Sequence, residues 1–396
     1  MQPLKLIIPG EFWDSFIYKG RLYLFCLDGS VLTLKWDAFI ENWRVDPALN
    51  IVFKSAFQRS DYLYRDEVQE LLRDDEVLPV ITKKFERLAQ SELHATPLMI
   101  QRAVAGHQTT PAEFPHADID IYGDQLFMAG RSGLYMAKCS KKTKHPISTK
   151  VHRRWDAPIL SVAASYGTLA LAAGSDGLFE LSASPYEFSS LRDPRLVSES
   201  PCRDCSWAYY SLFASSDRSG YLADYKKNLS LPGGELARDF EKLETARQIF
   251  GSDGYSWGLQ DKLCQATENV IKVVKYRPWE TSEQNRIQSI GQVTFEEWKG
   301  MVVSASTASF GVIVELENAL VVFPSVGQAI TIPGEPVNWR NFPKSKHYEN
   351  QLHIVYDDRL EILSFNHDYL ADQDAKLLGF TVFNGGREAG MARVAN

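Results

Sequence analysis

The chain has 396 residues, 44% hydrophobic and 23% charged, and a formal net charge of -7, which excludes a disordered chain and wholesale electrostatic attraction to nucleic acid or anionic membrane. No run approaches the ~18 apolar residues that a bilayer crossing needs, and the opening MQPLKLIIPGEFW lacks the apolar core and cleavage site of a secretory signal. Cys26, Cys139, Cys202, Cys205 and Cys264 are an odd, scattered set that suits a reducing compartment, so a soluble cytoplasmic protein is expected.

The first element is LKLIIPG, a strand-like run. It is followed by YKGRLYLFCLDGSVLTLKW from Tyr18, two β-rich runs joined at an Asp-Gly turn. The period then changes. Over SDYLYRDEVQELLRDDEVLPVITKKFERLAQSEL, apolar residues recur at helical spacing: Leu63, Val68, Leu71 and Leu72, then Val77, Ile81, Phe85 and Leu88. This predicts a helical insert over residues 57–93, with Ser60 capping its first helix and Pro79 separating it from the second. Insertions in repeat proteins collect on one face, often the binding face, which nominates Tyr62 and Tyr64 as exposed anchors. The competing reading is that the insert only packs against the rim.

Next come the two clearest repeats. YGDQLFMAGRSGLY from Tyr122 and YGTLALAAGSDGLF from Tyr166 align over fourteen residues with six identities. Each is a hairpin with glycine at the turn, and an offset in the forties is the length of a four-stranded propeller blade. Between them, KCSKKTKHPISTKVHRRW from Lys138 contains no acidic residue. It reads either as a solvated loop or as a patch for phosphates or an acidic protein surface, with Lys141, Lys142, Lys144, Arg153, Arg154 and Trp155 as its candidate contacts. Aromatic residues are nearly absent until Trp155, which gives base stacking little support.

Weaker copies of the hairpin follow at Tyr209, Asp261, Phe310 and Tyr348, making seven with the first three. WDAPILSVAAS, CSWAYYSLFAS and VTFEEWKGMVVSAS supply strands ahead of three of them, mostly small and apolar with few carboxylates. LLGFTVFN from Leu377 is a final strand-like run. An open ring would expose two sheet edges, so either the amino-terminal strand completes the last blade or this late strand completes the first. GSDGLFEL and RSGLYMA, with Trp155-Asp156 leading into a strand, resemble the hairpins of the β-propeller group that includes WD-repeat and kelch-like proteins. The expected fold is therefore all-β: one propeller over residues 1–396, with seven blades of four antiparallel strands and the helical insert after the first blade. The resemblance implies a scaffold role.

Signatures of chemistry are sparse. Cys202 and Cys205 have the spacing of half a zinc site or a redox pair, without a second pair to complete a tetrahedron. The phosphate-cradling, nucleophile-elbow and H-E-x-x-H patterns do not occur, and the histidines stand at no diagnostic spacing from carboxylates. No catalytic residue, cofactor or metal is assigned. The expected function is a non-catalytic interaction scaffold in a multi-subunit cytosolic assembly, with no membrane partner. The alternatives are a nucleic-acid accessory subunit using the basic segment 138–154, and an enzyme with a metal or substrate site in the propeller's central channel.

Overall fold

In the computed structural model the described residues are 2–140, 145–184, 193–208, 211–216, 219–228, 237–267, 269–280, 282–295, 300–324 and 328–365. They form seven antiparallel sheets, each of four strands consecutive along the chain apart from the closure and insertion described below. This is the architecture of a seven-bladed β-propeller. By internal contacts it divides into two compact units, one holding the second to fifth blades and the other the first, sixth and seventh with the helical segment.

Each hairpin read from the sequence is the pairing of a blade's second and third strands. The Tyr122 copy is Gln125–Gly130 with Gly133–Cys139, and the Tyr166 copy is Thr168–Ala172 with Leu178–Ser182. These strands are legible because they are covered on both faces. Every residue of Thr168–Ala172 and of Ser211–Ser215 is buried, so small and apolar residues run continuously instead of alternating. Fourth strands such as Ile330–Pro333 alternate between exposed and half-buried, and carry a weaker signal.

Two shared glycines have a steric cause. Gly133 and Gly177 have φ of +123° and +99°, and a Cβ there would lie 2.1 Å from the Trp155 carbonyl oxygen and 2.0 Å from that of Ser198. The fourth strand of each blade passes too close to the hairpin for any side chain at that position.

The amino terminus closes the last blade. Leu4–Pro9 pairs antiparallel with Arg359–Ser364, Leu4 opposite Ser364 and Pro9 opposite Arg359. The late run from Leu377 lies outside the described residues.

The helical segment begins directly after the first blade's third strand, Ser30–Lys35, and that blade's fourth strand, Val104–Thr109, follows it. It comprises helices Trp36–Glu41, Asn50–Phe57, Asp66–Leu72, Val77–Ala89 and Pro97–Ala103, with single turns at Pro47–Leu49 and Ser60–Tyr64. Phe53, Phe57, Leu63, Leu72, Phe85 and Leu88 are buried in one cluster with Leu4, Leu6 and Ile8 of the closing strand and with Leu360 and Ile362 beside it. Between the segment's last two helices, Glu92–His94 adds parallel to Leu4–Pro9 as a fifth strand. The helices thus share a core with the strand that closes the last blade.

Two local expectations are corrected. Pro79 does not separate helices. It sits in the first turn of Val77–Ala89, where a missing N–H breaks no helical bond. The break falls upstream, where the Asp74 carboxylate accepts from the amides of Glu76 and Val77 at 2.8 and 3.2 Å. Ser60 caps no helix, because its hydroxyl donates to the Lys346 carbonyl at 3.2 Å and ties the turn to the last blade.

Candidate interaction surfaces

The turn Ser60–Tyr64 lies against the connection ahead of strand Gln351–Tyr356. The Ser60 amide donates to the His347 carbonyl, and the Asn350 and Gln351 side chains donate to the carbonyls of Ala56 and Phe57, each at 2.9 Å. Asp61 is the hub. Its carboxylate accepts Arg59 Nε and Nη2 at 3.0 and 2.8 Å and contacts His347 Nδ1 at 3.0 Å and Arg65 Nη2 at 3.5 Å. These partners overcome the partial burial and hold its pKa below the usual carboxylate value. The Tyr62 ring is flanked by two guanidinium groups, Arg59 at 5.1 Å and Arg65 at 4.8 Å from the centroid. Beside them, Glu349 is half-buried near Asp61, and desolvation and that charge push its pKa up to about 7.

Neither nominated tyrosine stands free. Tyr62 is half-buried in its stack, and Tyr64 is half-buried against the insert's core. The basic segment is likewise not a loop over most of its length. Lys138 lies within strand Gly133–Cys139, and Ile147–Trp155 is the fourth strand of the second blade. Trp155 packs on Phe179 of the third blade with ring centroids 4.5 Å apart. Arg154 is half-buried, donates to the Ser182 carbonyl at 3.0 Å, and has its pKa lowered by burial. Both are packing residues, and Trp155 ends a strand instead of leading into one. Lys150, His152 and Arg153 are exposed, with Arg153 bonded to the Ser132 carbonyl. Lys141, Lys142 and Lys144 lie outside the described residues.

Cys202 and Cys205 are buried thiols. Burial, aided by the Asp204 carboxylate, pushes Cys202 up to about 12 and Cys205 well above its ordinary value, so both stay protonated and unreactive at neutral pH. Among the described residues, no three His, Cys, Asp or Glu side chains come together as a metal set.

Sequence reading missed the carboxylates of the blades' first strands. In the second to fourth blades, Asp118, Ser161 and Asp204 open those strands, 43 residues apart. The Ser161 hydroxyl lies 3.1 Å from Asp118 and 2.9 Å from Asp204, and Tyr255 of the fifth blade donates to Asp204 at 2.7 Å. A hydroxyl carries one proton, so Ser161 can donate to only one of its two neighbours. Burial raises the pKa of Asp204, against the hydrogen bonds from Tyr255 and Ser161 that favour its charged form.

In the other unit, Asp14 lies in the first blade's first strand, Phe12–Tyr18, and accepts Arg340 Nε and Nη2 at 2.8 and 2.7 Å. His353 lies between Ser15 and Gln351, pushed down to about 3 by burial and therefore neutral. The signal for these residues was an acidic or hydroxyl side chain at one repeat position, hidden because the flanking residues differ.

No protein-family model and no curated protein matches the chain. Similar solved structures include the β-propeller domain of Cps50 (Swd1) from Myceliophteria thermophila, 9% identical with a TM-score of 0.49, covering 90% of this chain and 96% of that one. The AfRom2 CNH domain is 12% identical, TM-score 0.35, covering 63% of this chain and 94% of that domain. The WD40 β-propeller domain of Doa1 is 10% identical, TM-score 0.36, covering 65% and 95%. The fold assignment rests on the strand pairing itself.

Proposed function

We propose that the protein is a non-catalytic interaction scaffold of a larger cytosolic assembly, formed as one propeller domain with its helical insert as the principal docking element. WD40-like propellers commonly bind proteins, and no described helix is long and apolar enough to cross a membrane. The observation that carries the reading is on the insert. Its inner side is locked into the core of the last blade, yet Ile51, Leu71, Val80 and Leu98 are each more than half exposed on its outside. Apolar side chains left in water on a rigid platform can bind with little ordering cost.

Deleting residues 60–92 would remove Leu63, Leu72, Phe85 and Leu88 from the core around the closing strand, so point changes are the cleaner test. Native pull-down with mass spectrometry should recover partner proteins with the full chain and lose them with Leu71→Asp and Val80→Asp combined, the circular dichroism being unchanged. Equal recovery by both proteins would remove the insert from the reading, and no recovery with either would end the scaffold reading.

A further inference from the structure

The insert and the last blade jointly build a second surface, chemically different from the exposed aliphatic residues. Its groups are Arg59, Tyr62 and Arg65 from the insert and Lys344, Lys346 and His347 from the connection after strand Asn338–Asn341. The Ser60–Lys346 and Asp61–His347 contacts bring the two segments together. The Arg59, Arg65 and His347 side chains are 35, 47 and 41% exposed, and both lysines are exposed. In a chain of net charge -7, four permanent cations here stand beside two carboxyl groups, Asp61 and Glu349, the second pushed up to about 7 by burial and by Asp61; Asp37 acts on Arg59 from a distance.

Asp61 does not use up its partners. Each guanidinium offers five N–H donors in a planar fork. Arg59 gives Asp61 its Nε and one Nη2 contact, and Arg65 a single longer one. What Asp61 does is fix them. With the Tyr62 ring in contact with both, the two guanidinium groups are held in place before any ligand arrives, so binding an anion there costs little side-chain entropy. The remaining donors suit carboxylates, and the stacked phenol offers a ring edge to an adjacent side chain.

We propose that this patch captures an acidic peptide segment of a partner protein, its carboxylates seated on Arg59, Arg65 and Lys346. The proposal rests on the scaffold reading and gives that partner a chemical character.

The test uses the full chain and fluorescence anisotropy with a labelled dodecapeptide rich in Asp and Glu, beside a labelled oligothymidylate of equal charge. The peptide should bind, weaken with added salt, and lose about tenfold or more in affinity in Arg65→Glu, as expected when a charge-assisted contact becomes a repulsion. Lys346→Glu, on an exposed side chain outside the Asp61 cluster, should weaken binding in the same direction. Arg153→Glu, in the second blade, should leave binding unchanged, and an unchanged melting temperature confirms that each variant is folded. Absent peptide binding, unchanged affinity in both Arg65→Glu and Lys346→Glu, or tighter binding of the oligothymidylate would overturn the proposal. If any of these coincides with partners still recovered in the pull-down, the scaffold reading survives without this surface.

Discussion

Phe85 tests whether the helical segment is part of the propeller's stability or an appendage to it. Its ring is fully buried on helix Val77–Ala89, in the cluster that includes Leu4, Leu6 and Ile8 of the closing strand. Replacing a buried phenylalanine by alanine costs about 3–5 kcal/mol, from lost transfer energy and the cavity left behind. At an unfolding entropy of about 2.1 cal/mol/K per residue, a 396-residue chain melting as one unit has about 0.8 kcal/mol/K. Phe85→Ala should then lower the melting temperature by about 4–6 °C.

Hydrogen exchange read by mass spectrometry locates the effect. Protection should fall in 4–9 and 359–364 together with 77–89, because the closing strand and its neighbour share the helix's core. Faster exchange confined to 77–89, with the two strands unchanged, would refute the shared-core argument and make the helices an independently melting attachment.

Ser161→Ala should destabilise the fold by about 1–3 kcal/mol, since two carboxyls lose the hydroxyl between them; a melting temperature equal to wild type counts against the polar chain. Glu349 has a folded-state pKa of about 7 against an ordinary 4.5, so its proton stabilises the fold fully below pH 4.5 and that stability is lost as pH rises through about 7. Glu349→Gln should therefore gain up to about 3 kcal/mol relative to wild type at alkaline pH and nothing under acid conditions, and a pH-independent difference in urea midpoints would contradict this. His353, held near 3 against an ordinary 6.5, works oppositely: its stability is present above 6.5 and lost as pH falls towards 3. Its ring resonances should stay flat between about pH 8 and 5, and a midpoint near 6 would refute its burial. Gly177→Ala forces a Cβ to 2.0 Å from a carbonyl oxygen at φ +99°, so it should unfold or severely destabilise the chain in thermal melts, whereas tolerance would mean the fourth strand can shift.

The sequence by itself determined the repeating unit. Second and third strands are buried on both faces and joined by short turns, so Tyr122 and Tyr166 open copies whose spacing and glycines are dictated within a single blade. Helical spacing likewise exposed the insert, because Phe85 and Leu88 recur on one face of one helix. Only the tertiary structure decided what touches what across the chain. Leu4 meets Ser364, Asp61 meets His347, and Arg154 is turned from a basic loop residue into a packing one by a carbonyl 28 residues away. The physical reason is range: periodicity and turn chemistry act within a few residues, whereas partners for buried charges and for the closing strand are chosen by which distant backbone the packed blades bring within bonding distance.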